Sequence, residues 1–298
     1  MHSWIVFSII SALLVAATSI LEKQMLLEKH AMQFSASLAV VNALLTAPFL
    51  FFVEWERITP SLFAFLFILA VILATGFFFT ARGVRHSPLS ISAPLISLKP
   101  AVTAIIAFLL LGESLSLLAV LGLLLIVVGV AVLEHHHGVT FLRDLREIAS
   151  AVHVRYLVGA LLLFGACMVG ERYLFAPLAS GGLAFPVLHY LAIVNVLAAI
   201  ISMLYLAFFH HAWRDLKSCL SSSWLPIVII GLLTVAMRLS HGFALSFPNG
   251  KAGLVSSIKY TAAIFITFVG GELFHEEHVW RRLAASAFIV VGVVLIIL

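Results

Sequence analysis

Charge is what this sequence has least of. Of its 298 residues only 17 are Lys or Arg and 13 are Asp or Glu, 10% in all, where a water-soluble domain carries about 25%. Hydrophobic residues make up 63% and the mean hydropathy is +1.19. A globule of this size has too little interior to hide that much apolar surface, so lipid must be the solvent for most of it. Aspartate is almost missing. The two that occur, Asp144 and Asp215, fall in polar connections, and this excludes an intramembrane aspartyl protease, which needs two carboxylates within the membrane. A zinc protease is excluded too, because His275-Glu276-Glu277-His278 is not His-Glu-x-x-His. A serine enzyme would lack its usual Gly-x-Ser-x-Gly elbow. Cysteine is scarce, with Cys167 in an apolar stretch and Cys219 in a polar connection, so no disulfide framework exists to read.

What the chain does have is apolar runs. A membrane-crossing helix needs about 20 apolar residues at 1.5 Å rise each. Such runs occupy 3–21, 34–53, 61–81, 89–111 and 115–133, then 156–175, 182–208, 222–245, 251–271 and 279–298. The N-terminus lacks the basic start of a signal peptide and reads as the first span. Ten spans are expected in an all-α integral membrane protein, five on each side of the one long polar connection. The domain layout is then a first five-helix repeat at 1–134, a connecting loop at 135–155 and a second five-helix repeat at 156–298. The other links are too short to hold a soluble domain.

The two halves resemble each other. Glu22-Lys23 is answered by Glu171-Arg172, Val41-Asn42 by Val194-Asn195, Ser97-Leu98-Lys99 by Ser257-Ile258-Lys259, and Gly112-Glu113 by Gly271-Glu272. The four matches keep their order. Five being odd, the second copy must enter the membrane from the opposite side, which makes this an inverted repeat. Inverted repeats characterise secondary transporters that rock around a site near the bilayer midplane.

These features resemble the drug/metabolite transporter superfamily, and its EamA-like branch in particular. The resemblance covers essentially the whole chain. It rests on the five-plus-five layout and on a doubled pattern: Leu98-Lys99-Pro100 leading to Gly112-Glu113 and a helix with Gly122 and Gly129, then Ile258-Lys259-Tyr260 leading to Gly270-Gly271-Glu272 and a helix with Gly292. It implies a ten-helix exporter or exchanger of metabolites, amino acids or drugs. Relatives that move sugar phosphates and nucleotide sugars often carry a basic residue where Lys259 falls. Tyr260, which is basic in some of them, departs from that pattern, so a phosphorylated substrate is permitted but not implied.

Several residues within the spans are candidates for chemistry. Lys99 and Lys259 fall near span centres, where each costs about 2.5–3.5 kcal/mol on the insertion scale. Either they face a wet cavity and hold an anionic group, or Glu22 and Glu171 neutralise them as structural ion pairs. Those two glutamates are in turn either anchors beside Lys23 and Arg172 or the coupling carboxylates of a proton-driven cycle. Asn42 and Asn195 either bond between helices or line the cavity. Arg238 joins the substrate-binding set on cost alone, and His189 and Tyr190 as polar groups within a span. Gly122 and Gly129 share one helix face and read as packing positions.

Ten of the thirteen histidines crowd the odd-numbered connections, yet adjacent histidines cannot all aim at one ion, so no metal site and no cofactor is expected. Eleven Lys or Arg share that face, which the positive-inside rule makes cytoplasmic. The family resemblance instead implies cytoplasmic termini, and orientation stays open. Basic residues outnumber acidic ones within the spans, which favours an anionic group on the solute. The reading is a multi-pass protein of the cell membrane, a secondary transporter (exporter or exchanger) of a small polar metabolite. Its alternatives are a flippase for a lipid-linked sugar or a non-transporting membrane enzyme. Its partners are a small-molecule solute and the bilayer, with no nucleic acid and with a homodimer left open.

Overall fold

The structure is a computed structural model that describes residues 3–86, 98–112, 152–209 and 212–273, with scattered positions between 96 and 125 and between 287 and 295. The described residues form helices and turns with no strand. In chain order the helices are α1 (Ser3–Glu28), α2 (Ala31–Thr46), α3 (Pro60–Arg85), α4 (Lys99–Leu111), α5 (Val152–Phe175), α6 (Val187–Phe209), α7 (Ala212–Ser246), α8 (Ala252–Tyr260) and α9 (Ala262–Leu273). Six helices among the described residues are long and apolar enough to cross a bilayer, and the protein is an all-α, multi-pass membrane protein. The spans expected at 115–133 and 279–298 lie largely outside the described residues, as do Glu113, Gly129 and His135 to His137.

Local chemistry sets the helix ends. Thr59 accepts a hydrogen bond from the Leu62 amide while Pro60 opens α3, a side-chain cap followed by the residue that has no amide to satisfy. His30 caps α2 through the Met32 amide. Gly112 ends α4 at φ 65°, with its amide bonded to the Ala107 carbonyl, a left-handed position where a β-carbon would be strained.

Three expectations change. The polar stretch before 222 is helical from Ala212, so Asp215 and Cys219 sit in α7 and Cys219 is buried. This helix breaks at Ser223 (φ −148°, ψ 30°), three residues before Pro226, whose ring crowds the Ser222 carbonyl and offers no donor to it. The second span stops being α-helical at Thr46 and continues as a 3-10 turn, Ala47–Phe52, around Pro48. In the fourth and ninth spans a turn residue stands beside the lysine. Ile96 is helical, Leu98 is in a turn with helical torsions (φ −68°, ψ −10°), and α4 runs from Lys99. Helices α8 and α9 are separated by the single residue Thr261, itself helical in torsion (φ −60°, ψ −19°) and with its amide bonded to the Ile258 carbonyl. Lys99 and Lys259 therefore each stand within two residues of a turn.

The contacts establish that the halves are inverted. Lys23 near the end of α1 bonds the Val84 carbonyl near the end of α3, so these two helices run the same way, as do α5 and α7 through Arg172 and Leu245. Along α1 and α7, Phe7 packs on Phe243, Ser11 bonds Met237 and Lys29 bonds Ser222. Numbers that rise on one helix fall on the other. Along α3 and α5, Phe65 meets Tyr173 and Phe79 meets Tyr156, the same antiparallel order. The two most extensive interfaces, α1–α7 and α3–α5, are thus copies of each other, while α2–α6 and α4–α8 each pair with their own repeat mate.

Close approach of α7 to α2 depends on Gly231. A β-carbon there would lie 2.8 Å from Val41 Cγ1 and 3.2 Å from Asn42 Oδ1. Gly231→Ala should lower thermal stability in detergent by roughly 1–3 kcal/mol, the usual cost of overpacking. Gly253→Ala, whose nearest neighbour is 3.6 Å away, should leave it unchanged. Equal melting temperatures for both variants would contradict this packing.

Candidate functional site

A cavity of about 200 Å³ opens between the halves, lined from α1 to α8. It brings together Glu22, Asn42, Lys99, Glu171, Tyr190, Asn195, Arg238 and Lys259. His189 is the exception among the residues singled out from the sequence. One position away from Tyr190 on a helix turns the side chain by about 100°, and His189 packs against Phe185 and lines a different pocket with Glu54 and Arg57.

The two acidic–basic doublets divide their labour in the same way. In each, the basic residue leaves its acidic neighbour and feeds helix-end carbonyls. Lys23 bonds Val84 O at 2.8 Å. Arg172 bonds Leu245 O at 2.7 Å, Phe247 O at 3.0 Å and Pro248 O at 3.1 Å. Cations suit these positions because the last carbonyls of a helix lack partners and carry its negative pole. The acidic residue of each doublet then lines the cavity.

Glu171 is the hub of the site. Tyr190 donates to Oε1 at 2.8 Å, and the Cys167 thiol lies 4.0 Å from the same oxygen. Two further neighbours come from one face of α7: Arg238 Nη2 lies 3.9 Å from Oε1 and His241 Nε2 lies 3.6 Å from Oε2. The Arg238 guanidinium also donates to Asn195 Oδ1 and sits 5.8 Å from the Tyr190 ring centroid. Asn195 Nδ2 donates to Thr46 Oγ1 at 3.3 Å, and Thr46 donates to the Asn42 carbonyl at 2.8 Å. A continuous polar chain therefore runs from α5 through α7 and α6 to α2. Donors at one end and a carbonyl at the other fix which way the Asn195 amide faces.

The lysines approach from beside the turns at Leu98 and Thr261. Lys99 Nζ stands 4.0 Å over the Phe164 ring, a cation–π contact. Lys99 feels the charge of Lys259, and both feel that of Glu171. Some polar atoms in the site have no hydrogen-bond partner among the described residues: Asn42 Oδ1, His241 Nδ1, Arg238 Nη2 and Thr234 Oγ1. Unused donors and acceptors beside a cavity are what a solute or its water would engage. Among the described residues no three His, Cys, Asp or Glu converge to hold a metal ion.

The sequence left Thr46, Cys167 and His241 out of the site. Two had a signal. Cys167 precedes Glu171 by four and His241 follows Arg238 by three, so each shares a helix face with a residue already singled out. Thr46 had none, since its role depends on where Asn195 arrives from the other half.

Residues 2–134 match the sequence profile of the EamA-like transporter family, within the drug/metabolite transporter superfamily. The chain carries an EamA-like segment. That segment holds α1 to α4 and contributes Glu22, Asn42 and Lys99 to the cavity. EamA-like proteins are membrane transporters of small molecules, not enzymes. No curated protein matches the chain. Among 27 solved chains that match, a crystal structure described only as that of a protein aligns with a TM-score of 0.56 at 16% identity. It covers 99% of this chain and 93% of the other, and it shows the fold alone.

The Glu171 hub makes a stability prediction. Arg238→Leu leaves the carboxylate without its guanidinium and Asn195 without its donor. Thermal unfolding in detergent should then register a loss of about 3–5 kcal/mol, the cost of breaking a buried pair from one side. Adding Glu171→Gln should recover part of that loss. Strictly additive losses in this double-mutant cycle would mean the two side chains act separately.

Proposed function

We propose that the protein is a secondary carrier, an exporter or exchanger of a small polar metabolite bearing an anionic group, working by alternating access. The observation that supports it best is the placement of Lys99 and Lys259. Two lysines at matching positions of the two halves come to one central cavity. A site between inverted halves near the bilayer midplane is where such carriers hold their solutes.

Charge and size supply the substrate class. The lining offers three basic side chains, Lys99, Lys259 and Arg238, against two acidic ones, Glu22 and Glu171. Glu171 is engaged by Arg238, His241 and Tyr190, and Lys99 and Lys259 bring positive charge to the same cavity. At about 200 Å³ the cavity lies below the roughly 300–1,000 Å³ of drug-sized sites, which favours a metabolite over a bulky drug. The Phe164 face beside Lys99 adds an apolar wall for the rest of the solute.

The copied interfaces α1–α7 and α3–α5 supply the cycle. Each half can rock against the other, one interface tightening as its mate loosens, and the near-symmetry keeps the two end states close in energy.

Counterflow into liposomes carrying the purified protein tests the reading, with a panel of anionic, zwitterionic and cationic metabolites. An anionic solute should exchange, and Lys99→Ala and Lys259→Ala should each cut its uptake at least about tenfold, as loss of a charged contact of about 1.5–3 kcal/mol demands. Exchange that favours cations, or that survives both substitutions, would remove the lysines from the substrate site.

A further inference from the structure

A second pocket carries charge of one sign and has no part in the central cavity. It has a volume of about 360 Å³ and is lined by His30, Ala31 and Met32 from the α1–α2 turn and by Phe78, Arg82, Arg85 and His86 from the end of α3. Two arginines and two histidines meet there, and among the described residues no acidic one lines it. The pocket stands where α1 and α3 end, at Glu28 and Arg85, which is the level at which two spanning helices leave the hydrocarbon.

Both guanidiniums are held in place. Arg85 Nη1 donates to the Lys29 carbonyl at 2.6 Å, which anchors it through one of five N–H groups. Arg82 lies 4.6 Å from the Tyr156 ring centroid and 6.0 Å from that of Phe78, stacked rather than spread along the surface. Pre-set guanidiniums lose little freedom when they take up an oxyanion, and their planar forks suit phosphate oxygens. The pocket floor is apolar, and Met32 and Phe78 continue into a cluster with Ala36, Leu206 and Leu216. The same end of the molecule carries the exposed Arg155, Arg214 and Lys217, whereas the exposed basic residues described at the opposite end are Arg57 and Lys251.

We propose that this pocket is a binding site for the phosphate of an anionic phospholipid, with Arg82 and Arg85 on the phosphate and an acyl chain on the Met32–Phe78 floor. The apolar floor and the interfacial level select a lipid over a free anion. Its seat also touches the transport machinery. Phe77 and Thr80 line the central cavity from the same stretch of α3, and Val84, between Arg82 and Arg85, is the residue whose carbonyl Lys23 holds. A bound headgroup would brace that end of α3. The inference stands apart from the choice of solute.

Native mass spectrometry of the full-length protein in detergent tests it, with phosphatidylglycerol, phosphatidylcholine and inorganic phosphate as probes. Phosphatidylglycerol adducts should dominate on the wild type. Arg82→Gln should weaken them about fivefold and Arg82→Gln/Arg85→Gln further, since each basic group near a lipid headgroup contributes about a fivefold factor. Arg214→Gln/Lys217→Gln, the same charge loss at the same end but outside the pocket, should change nothing. Arg82→Gln alone keeps the Arg85–Lys29 bond, so the result does not hang on whether the double variant folds. Equal loss in both pairs of variants would mean diffuse charge attraction and would overturn the site. Adducts with inorganic phosphate that displace the lipid would assign the pocket to a free anion instead.

Discussion

A charged group placed between the ends of these helices has to be satisfied by the protein, because lipid offers it nothing. Glu171 is where that constraint is most visible. One carboxylate draws a tyrosine, an arginine and a histidine from two other helices, and through Arg238 and Asn195 it reaches Thr46 in the opposite half. The halves meet across an apolar interior that specifies no register of its own, since one leucine packs on another in many ways. The polar chain admits one alignment, because each donor has its own acceptor.

The same constraint explains the division within each doublet. A lysine or arginine beside a glutamate would pair with it in water, where both are solvated anyway. In a helix bundle, neighbouring residues point about 100° apart, and the helix-end carbonyls are the richer target for a cation. Lys23 and Arg172 go to Val84 and to Leu245, Phe247 and Pro248. This leaves Glu22 and Glu171 on the cavity wall. One dipeptide therefore serves twice, tying the third helix of its half to the first and supplying the cavity with a carboxylate. The halves are not equal in this respect. Glu171 has an arginine, a histidine and a tyrosine around it, while among the described residues no hydrogen bond or ion pair reaches Glu22.

Much of this was legible from residues alone. Scarce charge and ten apolar runs require a membrane-spanning helical protein, and four ordered matches between an odd number of spans require inversion. Buried cost, the matched positions of the two halves and polarity within a span singled out Lys99, Lys259, Asn42, Asn195, Glu22, Glu171, Tyr190 and Arg238, all of which line one cavity. Cost cannot say which way a polar residue faces, and His189 shows this: it is as polar as Tyr190 and lies on another surface. Hydropathy also cannot see a turn inside an apolar run: Leu98 and Thr261 lie in turns within the runs 89–111 and 251–271.

The amino-acid sequence by itself determined the solvent, the helical class and which polar residues fall within apolar runs, because each of these follows from composition or from spacing along one chain. Tertiary structure decided the rest: that Lys23 and Arg172 serve carbonyls and not their glutamates, that Thr46, Cys167 and His241 join the same polar cluster, and that both lysines line one cavity. Those outcomes depend on distances between segments more than a hundred residues apart. Such distances are fixed only when two inverted halves pack and every buried polar group takes its partner.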